Sequence, residues 1–186
     1  MDSIRERLRA LPGFPDDLPE LDPGAAPHQP EVLFMEWLDD AITTGERQPH
    51  AMALVTVRPD ATPVARTLIL KDLDRRGYHF STHRTSNKGV QLSQNARASM
   101  LFFWRETGRQ VRVTGSVAEL DHETSQADWA ARPTYTGAAN PEWQAYALDP
   151  DEYEFMQARE DRQHTRLGYR RTAKGWSAGT ITTPAG

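Results

Sequence analysis

Arg162, His164 and Arg166 alternate within the stretch RQHTRLGYRR. In an extended chain, residues at i, i+2 and i+4 leave the backbone on one face, so these three form one row of donors that suits an anion. A second group lies in FSTHRTSNKG, where Ser81, Thr82, Ser86 and Lys88 surround an expected helix start. Free N–H groups and the positive end of a helix dipole favour a phosphate there. Upstream, in VARTLILK, alternation sends Arg66, Leu68 and Leu70 to one face and Thr67, Ile69 and Lys71 to the other. Arg66 suits a bidentate contact to such a phosphate and Lys88 a point charge. In RQVRVTG, Gln110 and Arg112 share one side, Arg109 and Val111 the other. Local pattern leaves a second reading open for each group: a capped helix with solvated cations, a polar face beside a buried one, and a charged strand face turned to water.

These residues need strands to carry them. From Ala51 the apolar period reads as strands in AMALVTVR, VARTLILK and YHFST, joined by a turn at PDATP and a connection at DLDRRG. A short helix is expected in TSNKGVQLSQN with Thr85 or Ser86 as its cap, then strands ARASMLFFW and QVRVTGSVAEL. ETSQADWAAR reads as a helix stopped by Pro133; EYEFMQA and TRLGYRR frame a hairpin, and GWSAGTI is a last short strand. Before all of these, PEVLFMEWLDDAITTGE predicts a helix ending near Gly45, with Leu33, Phe34, Trp37, Leu38, Ala41 and Ile42 as its apolar stripe. Six prolines (Pro12, Pro15, Pro19, Pro23, Pro27, Pro30) make residues 1–30 an extended arm without continuous helix or strand, leaving one domain over 31–186. Six or seven strands with short turns and few helices indicate a mainly β fold, an antiparallel barrel.

Composition narrows the function. The chain has no cysteine, which excludes disulfides, thiolate metal sites and cysteine nucleophiles, and no metal site is expected. A net charge of −4 argues against a general nucleic-acid binder, so the local basic clusters point to small anionic ligands. No run of eighteen apolar residues could span a bilayer, and MDSIRERLRALPGF mixes both charges without a signal-like apolar core. A cytoplasmic location is the expectation.

The motifs RTLILK, FSTHRTSNKG, WRETGRQVRVTG, ARP and RQHTR…YRRT…GW, in this order from about Glu31 to Trp176, resemble those of the pyridoxamine 5′-phosphate oxidase family of FMN-binding split barrels. The resemblance implies a homodimer with FMN at the subunit interface, each site drawing groups from both chains. It implies Arg66, Thr67, Leu68 and Lys71 at FMN, with Lys71 also near the substrate, and Ser81, Thr82, Ser86 and Lys88 around the ribityl phosphate. Gln110 then lies at the flavin ring, joined by Gln144 and by Met156, which stands where the family carries a tryptophan. Arg166 reaches FMN, while Arg162 and His164, the catalytic candidates, meet the substrate together with Lys71 and Arg132.

Several positions depart from the family pattern. Asn87 stands where an arginine usually precedes the phosphate-binding lysine. Asp128 and Thr136 stand where vitamin B6 oxidases carry a tyrosine and a serine at the substrate phosphate, and an aspartate there repels a dianion. The stretch between Trp143 and Glu154 is short, trimming the substrate mouth. WRETGRQ and the tryptophan-bearing helix before ARP are similar to the phenazine-biosynthesis branch. The expected function is therefore an FMN-dependent oxidase that accepts a hydride from a small anionic ring compound and is reoxidised by oxygen, in specialised metabolism. The alternatives are a true pyridoxamine/pyridoxine 5′-phosphate oxidase, a flavin- or haem-binding protein without turnover, and a deazaflavin reductase.

Overall fold

The computed structural model describes residues 3–182. Nine antiparallel strands form one sheet, and the alternation of buried and open positions along them follows the sequence period. In β1 (Ala51–Val57), Met52, Leu54 and Thr56 point into the core; β2 (Pro63–Ile69) pairs with it so that Leu54 faces Arg66. The connection DLDRRG contains a three-residue strand that sequence pattern did not reveal, β3 (Asp72–Asp74), zipped onto β4 (Gly77–His83). Next come α3 (Asn87–Gln94), β5 (Arg97–Trp104), β6 (Arg109–Glu119) and α4 (His122–Ala130), the last capped by Asp121.

The long strand β7 (Trp143–Gln157) organises the rest. One of its edges pairs with β6 throughout; the other is shared, its first half with β4 and its second with β8 (Thr165–Thr172), which in turn pairs with β9 (Gly175–Thr180). Between the halves the β6 register shifts, Gly115 facing Pro150 and Thr114 facing Glu152, so Asp151 is the extra residue of a bulge. The bend is tight. A Cβ on Gly115 would stand 2.1 Å from the Asp149 carbonyl oxygen, and one on Gly77, whose φ is +113°, 2.0 Å from that of Leu148. Splitting one strand between two partners in this way branches the sheet, β4 and β3 continuing it on one side and β8 and its neighbour on the other. The expected hairpin over EYEFMQA therefore starts nine residues earlier than its pattern suggested, and the 143–154 stretch is continuous strand.

The helix α2 (Pro30–Thr43) closes the core with Leu33, Phe34, Trp37 and Ala41, while Ile42, placed on the stripe by periodicity, is exposed. Arg109 anchors this helix: its guanidinium lies 4.5 Å from the Trp37 ring centroid and donates to Asp40 at 2.6 Å and to Gln157 at 2.9 Å. The proline-rich arm differs from expectation at its start, where Ser3 and Glu6 form a reciprocal cap for a short helix, α1 (Ile4–Arg9), ahead of the first proline. Beyond it the arm packs on the barrel: Leu21 and Ala26 meet the core, Phe14 meets Phe103 edge-on, and the Pro27 carbonyl accepts from the Tyr169 hydroxyl at 2.8 Å. No helix among the described residues is long and apolar enough to cross a membrane.

Candidate functional site

Four of the expected side chains converge where β2, β4 and the start of α3 meet. Ser86 caps α3, accepting from the Gly89 N–H at 3.3 Å, and its hydroxyl lies 3.2 Å from that of Thr82 and 3.4 Å from the Lys88 ammonium. Arg66 reaches the same corner from β2, held by Thr56 Oγ1 at 2.6 Å and Gln91 Oε1 at 3.0 Å. Neither Arg66 nor Lys88 has an acidic partner among the described residues. Burial, and after it the nearby Arg66 charge, pushes the Lys88 amine below its ordinary value; burial does the same to the Arg66 guanidinium. Two desolvated cations and two hydroxyls at a helix start fit a phosphate dianion, the group at the end of FMN. Gln91, which sequence reading missed, is buried and orients Arg66; its one sequence signal is the i, i+3 spacing that puts it on the helix face of Lys88.

Ser81 does not join this cradle through its side chain. It is buried, and alternation along β4 turns it to the face opposite Thr82. Leu68 is half-buried against the core, whereas Thr67 is exposed and lines a cleft of about 720 Å³ with Ala53, Leu101 and Phe103 on the outer face of β1 and β5. Gln144 is fully engaged within the chain: its amide donates to the Leu120 carbonyl at 2.8 Å and its oxygen accepts from Arg84.

A third set lies across the second half of β7. Met156 is the register partner of Gln110 on β6 and of Arg166 on β8, so these three form one row on the face away from Val111, Phe155 and Leu167, with Met156 itself buried. Arg166 and Arg112 both donate to Glu154; burial raises the Glu154 carboxyl, but the two arginines outweigh it and hold it below its ordinary value. The alternating row Arg162–His164–Arg166 is not a strand face. β8 begins only at Thr165, and Arg162 adopts φ +61° in the preceding turn, its N–H bonded to the Arg159 carbonyl. Arg162 and His164 instead line a cavity of about 410 Å³ whose opposite wall is the arm, through Gly13, Phe14, Pro15 and Asp16. His164 Nδ1 accepts from the Arg159 N–H at 3.1 Å, so the neutral ring carries its proton on Nε2.

The fourth set gathers at the start of β7. Lys71 pairs with Asp128 at 3.3 Å, and Trp143 Nε1 donates to the same carboxylate at 2.8 Å. The Arg132 guanidinium packs on two touching indoles, 5.1 Å from the Trp129 ring centroid and 4.5 Å from that of Trp143. His83 packs edge-on against the same pair. Elsewhere, Asp72, Asp74 and His79 lie close enough to hold a cation, but Arg76 occupies Asp74. That hydrogen bond, with help from His79, lowers the Asp74 carboxyl to about 2.

Residues 38–157 match the family model described as pyridoxamine 5′-phosphate oxidase, and residues 143–181 that of the pyridoxine 5′-phosphate oxidase C-terminal dimerisation region. A pyridoxine/pyridoxamine 5′-phosphate oxidase of Pseudomonas paraeruginosa is 37% identical over 82% of this chain and 87% of its own length. One from Rubrobacter xylanophilus is 34% identical over 82% and 86%. Among solved structures, PhzG from Burkholderia lata, in complex with tetrahydrophenazine-1-carboxylic acid, superposes with a TM-score of 0.84 at 28% identity, covering 90% of this chain and 98% of that one. A pyridoxamine 5′-phosphate oxidase-related, FMN-binding protein of Nostoc punctiforme shares the fold at a TM-score of 0.66 and 18% identity, over 87% of this chain and all of its own.

Proposed function

The chain belongs to the pyridoxamine 5′-phosphate oxidase family, and from that membership we propose that it is an FMN-dependent oxidase of a small anionic ring compound, heteroaromatic or dihydroaromatic, serving specialised metabolism. The observation that carries this reading is the cradle of Arg66, Thr82, Ser86 and Lys88, two cations without acidic partners among the described residues beside two hydroxyls. When bound, FMN supplies the redox chemistry, accepting a hydride from the substrate and returning electrons to oxygen. The chain's own residues bind and orient. Arg66 and Lys88 neutralise the phosphate, Thr82 and Ser86 hydrogen-bond it, and the Gln110–Met156–Arg166 row packs against the ring end. Arg162 and the Nε2–H of His164 hold the substrate anion.

The cradle and the Gln110 row sit on different parts of the sheet, one at β2, β4 and α3, the other across β6 to β8. A homodimer resolves this by bringing the row of one copy to the cradle of the other, and the match of residues 143–181 to a dimerisation region supports it.

The second reading, a true vitamin B6 phosphate oxidase, draws on the names of the relatives. Against it stands Asp128, which neutralises Lys71 on the substrate side. The test is to purify the protein, identify the extracted chromophore by mass, and compare oxygen uptake with reduced ring carboxylates against pyridoxamine and pyridoxine 5′-phosphates. Bound FMN with uptake driven by ring carboxylates is the expected result. Efficient turnover of the B6 phosphates transfers the assignment to the second reading, and protein without flavin defeats both.

A further inference from the structure

The substrate side of the site holds a carboxylate that is fixed in place. Asp128, on α4, receives the Lys71 ammonium from the end of β2 at 3.3 Å and the Trp143 indole N–H from the start of β7 at 2.8 Å. Two donors on two separate elements keep this side chain from swinging away. Beside it Arg132 lies against both Trp129 and Trp143, which also touch each other, and its Nε is buried without a hydrogen-bond partner. A buried unsatisfied donor is costly, and a bound anion is one way to satisfy it. The two cations and the one carboxylate of this cluster leave a single net positive charge, framed by flat aromatic surface.

We propose that Asp128 is a specificity-determining residue that sets the charge the site accepts: a single carboxylate on a planar ring rather than a phosphate dianion. This rests on the proposed reading of Lys71 and Arg132 as the substrate side. A ring carboxylate carries one negative charge at neutral pH, whereas a phosphate ester, with its second ionisation near pH 6, carries close to two. Asp128 repels each ligand in proportion to its charge, so the penalty on the phosphate is about double. Lys71 and Asp128 cancel one another, so a ligand meets one net positive charge where it would meet two without the carboxylate, and the attraction lost is larger for the dianion. The indoles favour the flat ring through stacking, and within this cluster Arg132 is the cation left to join Arg162 at the carboxylate.

The experiment uses the full-length FMN-loaded protein and two probes, phenazine-1-carboxylate and pyridoxal 5′-phosphate, titrated by flavin absorbance and tryptophan fluorescence. Wild type binds the carboxylate more tightly. Asp128→Asn shifts the ratio of the two affinities toward the phosphate by on the order of tenfold, while Asp128→Glu keeps the wild-type preference. An unchanged ratio in Asp128→Asn, with both affinities moving together, reduces Asp128 to a structural role and overturns the proposal. If Asp128→Asn does not yield folded protein, Asp128→Ser, which keeps an oxygen acceptor for the Trp143 indole N–H, carries the same test, and an unchanged ratio of the two affinities overturns the proposal. FMN-loaded wild type that binds neither probe rejects the substrate-side reading and the selector with it. Wild type that holds no FMN rejects the proposed function itself.

Discussion

The Arg66 guanidinium donates to the Gln91 carboxamide oxygen at 3.0 Å, and the Thr56 hydroxyl donates to the same oxygen at 2.6 Å. On the proposed FMN reading Gln91 is thus a positioning residue, holding Arg66, the cation assigned to the phosphate. Gln91→Leu removes the acceptor of one guanidinium nitrogen and leaves Arg66 held only by Thr56 and the Leu54 carbonyl. FMN affinity is expected to fall about tenfold, the worth of one hydrogen bond to a charged group, while riboflavin, which lacks the phosphate, binds as before. Titrating both flavins against the apo-protein by fluorescence quenching separates this from general loosening, in which the two affinities fall together.

Lys88 supplies a pH signature. Its folded-state value is pushed below the ordinary 10.5 by burial and by Arg66. Between the lowered value and 10.5 the unfolded chain binds more protons than the folded one, so the stability of the apo-protein rises with pH across that window. Below the lowered value both states are protonated and the whole destabilising contribution is present. FMN affinity runs the other way, because the phosphate needs the charged amine and loses it as pH climbs through the same window. Melting temperature and FMN affinity followed against pH for wild type and Lys88→Met test this. A variant that keeps both slopes assigns them to another group.

Elements defined by local chemistry were legible in the sequence. The alternation of AMALVTV, the Ser86 cap and the Leu33–Trp37–Ala41 stripe each depend on neighbours a few residues apart, and each appears where its pattern put it. The cradle was legible for the same reason, since Thr82, Ser86 and Lys88 sit within one short segment. What depends on distant partners was not. Pro150 and the acids around it obscured the length of β7, because a proline belongs inside a strand only at an edge or bulge, and the bulge is created by Gly115 on another strand. The spacing of Arg162, His164 and Arg166 fits a strand, but spacing carries no φ, and the +61° at Arg162 breaks the row. The Lys71–Asp128 pair joins elements 57 positions apart and has no local signature.

The bend of β7 is the feature of the fold least tolerant of change. Gly115→Ala forces a methyl to within 2.1 Å of the Asp149 carbonyl oxygen, and Gly77→Ala adds a left-handed φ of +113° to a contact of 2.0 Å with Leu148. Each is expected to cost about 3 kcal/mol, Gly77→Ala the more because strain and clash add. Urea unfolding monitored by tryptophan fluorescence measures it. Gly137→Ala is the control for strain alone, since φ there is +88° with no atom within 4 Å of the added Cβ, and a loss of about 1 kcal/mol is expected. Equal losses at all three positions would remove the close approach from the explanation.

Arg162 and His164 face a cavity shared with the arm, away from the cradle, so substitutions there are expected to spare the cofactor. On the proposed reading Arg162→Ala removes a charge-assisted contact to the substrate anion and is expected to lower kcat/KM by about 10- to 100-fold with the FMN content of the purified protein unchanged. For His164 the tautomer makes a sharper statement. Because Nδ1 is occupied by the Arg159 N–H, the group offered to the substrate is the Nε2–H donor. Glutamine places an amide N–H near that position, whereas asparagine is too short to reach it. His164→Gln therefore retains more activity than His164→Asn, and both retain FMN. The reverse order would mean that His164 acts through Nδ1 or as a base. Loss of flavin from either Arg162 or His164 variants would move these residues from the substrate to the cofactor.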